Sequence, residues 1–192
     1  MDGREQNTTS ERLPFVIGDE ARPRLVRWED DGHHTLAVAE HEGYRGLPAG
    51  PVKHRRAVFF DKRARLWRIE DALEGRGRHA FRFFFHLAPG AEARAHADHT
   101  VEVCDKITAA RLFIVPPGDF GAPAFEPRHS SRDYGDREES VALCWAVEAD
   151  TPLVARWLLV PVGGAEQAEQ RLLSGVRAAV ENPQTPPSGG GG

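Results

Sequence analysis

The stretch from Lys53 to Gly90 contains three short apolar runs, and each run carries one residue that can bind a metal ion. These residues are His54, Asp71 and His86. Two neutral imidazoles and a carboxylate form a common Zn²⁺ donor set, with a fourth position left for water. A bound metal would also offset the cost of placing a carboxylate inside an apolar segment. The pattern therefore indicates a metal site, provided that the strands bring the three side chains together.

The turn sequence DKRA after the first run predicts a hairpin that joins the first run to the second. A four-residue loop there places Phe60 opposite either Leu66 or Arg65. With Arg65, His54 lies opposite Asp71, and directly opposite residues have Cβ atoms about 4.5–5.5 Å apart. This register gives the metal hypothesis its first two ligands.

The sequence GRGR predicts a second hairpin, between the second and third runs. With Gly75 opposite Arg82, Asp71 lies opposite His86, and the three candidate ligands form one rung across adjacent strands. A tighter loop would slide His86 along the same face. His99, or its neighbour His96, is an alternative third ligand. The non-metal alternatives are a hydrogen-bonded His–Asp pair and three separately solvated side chains.

Composition narrows the class of protein. The 192 residues suit one domain, and a hydrophobic content of 40% argues against wholesale disorder. The net charge of −4 comes from mixed acidic and basic residues, so we predict no nucleic-acid partner. The sequence shows no secretory signal and no run long enough for membrane insertion. Cys104 and Cys144 lie in apolar runs and are predicted to be buried thiols, with one disulfide as the alternative.

Short apolar runs separated by turn residues predict an all-β fold, an antiparallel β-sandwich, over residues 23–162. The predicted strands are 24–29, 35–40, 52–60, 66–73, 80–87, 100–104, 110–115, 141–148 and 153–160. Ala and Leu at helical spacing predict one C-terminal helix over 163–182 that packs on the sandwich. Residues 1–22 are predicted to be a disordered or extended leading segment, and residues 183–192 a disordered tail.

Four segments resemble, in order, the C-terminal β-sandwich domain of the heparinase II/III-like polysaccharide lyases. AEHEGY at 39–44 is similar to the family's HDGY strand end. HRRAVFF at 54–60, followed by WRIEDALEGRGRH at 67–79, is similar to its HRR…D-x-L-x-G-x-G-x-H hairpin. FFFHLAPG at 83–90 and HSSRDYG at 129–135 are similar to its FHLAP strand and its S-x-x-YG turn. The resemblance covers roughly residues 24–162 and implies a super-sandwich type of β domain.

In this family an N-terminal α/α toroid carries the tyrosine and histidine of a β-elimination on uronic-acid glycans. A base takes the C5 proton, an acid protonates the leaving oxygen, and an unsaturated sugar results. The resemblance also implies zinc in the β domain, held by His, Asp and His. It assigns His54 and Asp71, while the third ligand is His86 by strand context or His99. No run of helices precedes residue 23, so we expect a fragment or a stand-alone β domain that is not active alone.

Three residues are candidates for a glycan cleft, namely His41, Tyr44 and Arg56. Tyr44 could instead close the end of the sandwich. Arg56 could meet a glycan carboxylate or sulfate, or form a salt bridge with Glu70 or Asp71. We therefore expect an acidic polysaccharide and the absent toroid as partners.

Two alternatives to the lyase domain stay open. One is a stand-alone, non-catalytic carbohydrate-binding module, and the other is a small cupin-like metal-dependent enzyme. The location is expected to be periplasmic or secreted if the chain belongs to a full-length lyase, and cytoplasmic if the chain is complete.

Overall fold

The computed structural model describes residues 1–10, 12–13 and 16–162. These residues form eleven β-strands and no helix. The strands are β1 (Arg24–Asp30), β2 (His34–Tyr44), β3 (Val52–Asp61), β4 (Leu66–Gly75), β5 (Arg78–His86), β6 (Ala91–Ala95), β7 (Val101–Asp105), β8 (Arg111–Val115), β9 (Ala124–Ser130), β10 (Glu138–Asp150) and β11 (Leu153–Val162). The all-β prediction is confirmed for this part of the chain.

The strands form two antiparallel sheets. The large sheet has the order β1-β2-β3-β4-β11-β8-β7-β6, and the small sheet has the order β5-β10-β9. Every strand pair in both sheets is antiparallel. The inner face of the large sheet is the face that packs on the small sheet, which gives the predicted sandwich-like arrangement.

An aromatic core joins the two sheets. Trp157 of the large sheet is 2% exposed. Its ring centroid lies 5.5 Å from that of Phe83, and 5.0 Å from those of both Phe85 and Trp145 in the small sheet. Phe83 and Phe85 alternate with outward-facing residues along β5, as expected for a strand with one buried face. This cluster fixes how the small sheet lies on β11.

Two strands, β6 and β9, were not predicted from the sequence. The β6 sequence AEARA alternates only alanine with charged residues, so its hydrophobic period is weak. The β9 sequence AFEPRHS contains Pro127, which lowers its strand propensity, and β9 lies at the edge of the small sheet where proline is tolerated. The predicted helix over 163–182 and the tail over 183–192 lie outside the described residues.

The first residues of the chain are fixed to the small sheet. Asp2 Oδ2 lies 2.7 Å from His79 Nδ1, and Asp2 Oδ1 accepts a 2.8 Å hydrogen bond from the backbone of Ala80. Met1 packs against the core. None of the described residues belongs to a helix long and apolar enough to cross a membrane.

Candidate functional site: a buried aspartate network

The β3–β4 hairpin turns one residue later than predicted. Asp61 remains in β3 and pairs with Leu66, and its Oδ1 accepts a 2.8 Å hydrogen bond from the backbone of Ala64. Arg65 closes the turn with a left-handed φ of 54°. Phe60 consequently lies opposite Trp67, so both registers considered from the sequence were wrong.

The later turn shifts the strands by two residues relative to the register that placed His54 opposite Asp71. His54 now lies opposite Leu73, and Asp71 lies opposite Arg56. A shift of two residues leaves side chains on the same face, because successive residues alternate between faces. His54 and Asp71 therefore still meet diagonally, with His54 Nε2 at 2.7 Å from Asp71 Oδ1.

His86 does not join this pair. The prediction that β5 would extend the sheet beside β4 was wrong, because β4 pairs with β11 and Asp71 lies opposite Ala155. His86 belongs to the small sheet, opposite Ala142, where its exposed ring stacks on Phe84 at 5.8 Å. The physical reason is that the phenyl rings of β5 pack on the large sheet as a cover instead of continuing it.

His99, the alternative third ligand, lies in the turn between β6 and β7. It is exposed, has a φ of 66°, and donates its backbone N–H to the carbonyl of His96. The His96 ring points to another carboxylate, with Nε2 at 3.1 Å from Glu102 Oε2. Neither of these histidines is among the hydrogen-bond partners of Asp71.

Asp71 is fully buried and has three side-chain partners in the part of the chain that the structure describes. Arg56 donates to both carboxylate oxygens, from Nε to Oδ1 at 2.6 Å and from Nη2 to Oδ2 at 3.0 Å. Trp157 donates from its indole Nε1 to Oδ2 at 3.2 Å. With His54 on Oδ1, the carboxylate is satisfied on both oxygens, as a buried charge requires. Of the two salt bridges considered for Arg56, to Glu70 or to Asp71, the one to Asp71 is formed.

The protonation of Asp71 follows from these partners. Burial by itself would raise the pKa of the carboxyl group, since it penalises the charged form. Hydrogen bonds from His54 and Arg56, together with the guanidinium charge, outweigh burial and hold the pKa of Asp71 below its ordinary value. Asp71 is therefore a carboxylate at neutral pH.

A line of hydrogen bonds leads from Asp71 toward the end of β2. His41 Nε2 lies 3.0 Å from His54 Nδ1, and the backbone N–H of Gly43 donates to His41 Nδ1 at 3.3 Å. Because the Asp71 carboxylate only accepts, His54 Nε2–H is the donor in their contact. His54 Nδ1 then accepts from His41 Nε2–H, so one tautomer of each ring satisfies the whole line.

His41 and Tyr44 lie at the outer end of this line, with ring centroids 5.4 Å apart. Burial, His54 and Arg56 lower the pKa of His41 to about 4, so its imidazole is neutral near pH 7. Burial raises the pKa of the Tyr44 phenol, and the Glu5 carboxylate adds to the effect. Tyr44 also packs against the core. Two of the three cleft candidates are thus neutral groups at one end of β2.

This arrangement does not fit a zinc ion. A Zn²⁺ site needs lone pairs from several ligands directed at one open point. Here the Arg56 guanidinium holds both oxygens of Asp71, and both ring nitrogens of His54 are hydrogen-bonded. Within the described ranges, no group of three or more His, Cys, Asp or Glu side chains is placed to hold a metal ion. Zinc stays a prediction that requires Arg56 to leave Asp71.

The contact between Trp157 and the site was not predicted from the sequence. Trp157 is a buried core residue, and its indole N–H also donates to Asp71. The pairing of β11 with β4 creates this contact, and no short motif encodes a partner 86 residues away. Cys104 and Cys144, by contrast, are free thiols with no part in the site.

The comparison with protein families agrees with the fold. The family model described as "Heparinase II/III-like, C-terminal" matches residues 1–171. The chain therefore belongs to the family of heparinase II/III-like C-terminal domains. No curated protein matches the chain.

Solved structures with the same fold include two enzymes. One is a heparinase III, and the other is the heparan sulfate lyase HepC from Pedobacter heparinus. The first aligns with a TM-score of 0.61 at 20% identity, over 76% of this chain and 22% of its own. The second aligns with a TM-score of 0.64 at 14% identity, over 74% of this chain and 22% of its own. At these identities the likeness concerns the fold. The chain spans about a fifth of the length of either enzyme.

Proposed function

We propose that this chain is the β domain of a polysaccharide lyase that acts on acidic, uronic-acid-containing glycans by β-elimination. The family match over residues 1–171 supports the lyase class. The chain corresponds to 22% of the heparinase III chain, so we place the chemical step in the remainder of such an enzyme, the toroid. A periplasmic or secreted location belongs to the same proposal.

The role of the β domain in this proposal is to present a surface to the acidic glycan. The observation that carries this role is the state of Arg56. Its side chain is 45% exposed, while its Nε and Nη2 are held by the fully buried Asp71. The remaining nitrogen, Nη1, has no hydrogen-bond partner among the described residues and is left for an external acceptor. A guanidinium held in this way loses little conformational entropy when it binds a carboxylate or a sulfate.

The Asp71 network positions Arg56 and does not perform chemistry. His41 is neutral near pH 7 but is hydrogen-bonded to His54, and His54 is engaged at both nitrogens. The cupin-like alternative required His54, Asp71 and His86 around one open metal position. His86 lies in the other sheet, so this alternative loses its geometric basis.

The second candidate function is a non-catalytic carbohydrate-binding module, which the same exposed Arg56 would serve. Calorimetric titration with heparan sulfate, hyaluronan and alginate, combined with ultraviolet detection of the unsaturated uronide product, separates these possibilities. We expect binding without product from this chain, and lyase activity when the toroid of a related lyase precedes it. Product from the chain alone would overturn the placement of the chemistry, and absence of binding to all three glycans would overturn the glycan role.

A further inference from the structure

One row of side chains crosses the inner face of the large sheet from its edge to its core. Strand pairing places Trp28, Ala37, Val58, Ile69 and Trp157 opposite one another on successive strands. Opposite residues in antiparallel strands point to the same face. Trp157 at the core end is 2% exposed, whereas Trp28 at the edge end is 62% exposed.

The neighbouring row shows the same change from buried side chains at the core to exposed side chains at the edge. It consists of Leu25, Ala39, Arg56, Asp71 and Ala155. Ala155 and Asp71 are fully buried, while Leu25 is 65% exposed. The small sheet packs on β11 through the rings around Trp157, and the inner face at β1 and β2 is open to solvent. An inner sheet face thus continues outside the core.

On the open part of this face, small side chains on β2 lie between larger side chains on β1 and β3, and this difference in size leaves a groove along β2. Its floor consists of the methyl groups of Ala37 and Ala39. One wall is formed by Leu25 and Trp28 on β1, and the other includes Arg56 on β3. Strands lie about 4.8 Å apart, so the two walls are separated by roughly 10 Å at the backbone. Larger residues on β2 would fill this space.

The chemistry of the groove suits a sugar. The exposed indole of Trp28 offers a flat apolar surface on which the C–H face of a pyranose ring can pack. Arg56 offers the free Nη1 on the opposite wall. A mainly apolar surface with a small number of placed polar groups is the usual composition of a ligand site. The strand spacings put Trp28 and Arg56 on the order of 12 Å apart at the backbone, which is longer than one ring.

We propose that this groove binds an acidic disaccharide unit of the glycan, with one ring stacked on Trp28 and the carboxylate of the neighbouring uronate on Arg56. The inference rests on the proposed glycan function and extends it to a defined subsite, because Trp28 was not among the cleft candidates. The glycan would run along β2 toward His41 and Tyr44.

The test is a titration of the whole chain with hyaluronan and alginate oligosaccharides, and with neutral cello-oligosaccharides, followed by tryptophan fluorescence and calorimetry. Trp145 and Trp157 are each 2% exposed, so a change of emission on binding reports chiefly the more exposed indoles. Trp28→Ala should weaken binding of the acidic oligosaccharides about tenfold, the scale of one lost aromatic contact. Tyr134→Ala is the matched control, since Tyr134 is a fully exposed aromatic residue in the β9–β10 connection.

Arg56→Lys keeps the positive charge but lacks the guanidinium fork, and should reduce the preference for acidic over neutral saccharides. If the wild-type chain binds no acidic oligosaccharide, the proposed function fails together with the subsite. If Trp28→Ala binds as tightly as the wild type, the subsite is wrong and the glycan function stands. If saccharides have no effect and the wild type self-associates through a face that Trp28→Ala disrupts, the groove is a protein interface and the inference is overturned.

Discussion

The two halves of the inner face of the large sheet have the same backbone arrangement but differ in solvent exposure. At β4 and β11 the face is covered by the phenyl and indole rings of the small sheet, and Trp157 is 2% exposed. At β1 and β2 the same face is open, and Trp28 is 62% exposed. Apolar residues in a sheet therefore acquire a structural or a binding role according to what lies over them. Arg56 stands at the border, anchored by a buried partner and half-exposed itself.

The largest difference in the loss of stability is expected between substitutions of the two tryptophans in one row, Trp157 and Trp28. Trp157→Ala should lower the free energy of unfolding by about 3–5 kcal/mol, because it empties the core and removes a donor to Asp71. Trp28→Ala should change it by no more than about 0.5 kcal/mol, because an exposed side chain leaves no cavity. Urea denaturation of both variants measures the contrast. Equal losses would mean that both ends of the row are core.

Substitution of Asp71 tests whether its network holds Arg56 between the covered and the open half of the face. Asp71→Ala should cost about 3–4 kcal/mol of stability, because Arg56, His54 and Trp157 each lose their acceptor. Glu148→Ala is the control, since the Glu148 side chain is 72% exposed and its nearest arginine nitrogen is 3.8 Å away. We expect that control to stay within about 0.5 kcal/mol of the wild type in the same denaturation experiment. A small loss for Asp71→Ala would show that the network does not hold Arg56.

The pH dependence of stability tests how the chain start is fixed to the covering sheet. Burial opposes the charge of His79, but hydrogen bonds to Asp2 and to the Arg76 carbonyl raise its pKa overall. Burial likewise opposes the charge of Asp2, while the bonds from His79 and Ala80 lower its pKa. The His79 contribution is complete below its unfolded pKa of about 6.5 and is lost as the pH rises through the folded value. The Asp2 contribution is complete above its unfolded pKa of about 3.9 and is lost as the pH falls through the folded value.

The difference in Tm between wild type and Asp2→Asn should therefore be largest between about pH 4 and pH 6.5, and should shrink on either side. Thermal unfolding followed by circular dichroism across this range gives the profile. Asp119→Asn is a control, since Asp119 is an exposed residue in the connection between β8 and β9. A difference that does not vary with pH would contradict the charge-assisted contact.

The smallest effect is expected from metal removal. Because Arg56 already neutralises Asp71, a chelator should shift the Tm of the untagged wild-type protein by less than about 2 °C, the lower end of the shift that 1 kcal/mol causes in a chain of this size. Arg56→Ala frees the carboxylate and should acquire a zinc-dependent rise in Tm. Stoichiometric zinc in the wild type, with a large loss of Tm on chelation, would restore the metal site predicted from the sequence.

Local patterns were enough to predict the strands but not the arrangement of the site. Alternating apolar residues predicted nine of the eleven strands formed by the described residues. The missed strands were those in which alanine or proline weakens the alternation. The His54–Asp71 contact was predicted although the register was wrong, because a two-residue shift preserves faces.

His86 shows why the arrangement of the site could not be predicted from the sequence. Adjacent strands in sequence usually pair, and that tendency placed β5 beside β4. Besides β3, the observed neighbour of β4 is β11, which lies far later in the chain. Which strand pairs with β4 depends on the packing of β5 over Trp157. This is a tertiary contact, and the turn residues Gly75–Arg78 do not predict it. The open face at Trp28 was unpredictable for the same reason.

The most direct test of the two-halves account is a two-dimensional NMR titration of the indole N–H signals with a hyaluronan oligosaccharide, assigned with Trp28→Phe and Trp157→Phe. The account predicts that the Trp28 signal shifts and saturates while the Trp157 signal stays in place. An unmoved Trp28 signal in a saccharide complex that calorimetry shows to be formed would contradict it.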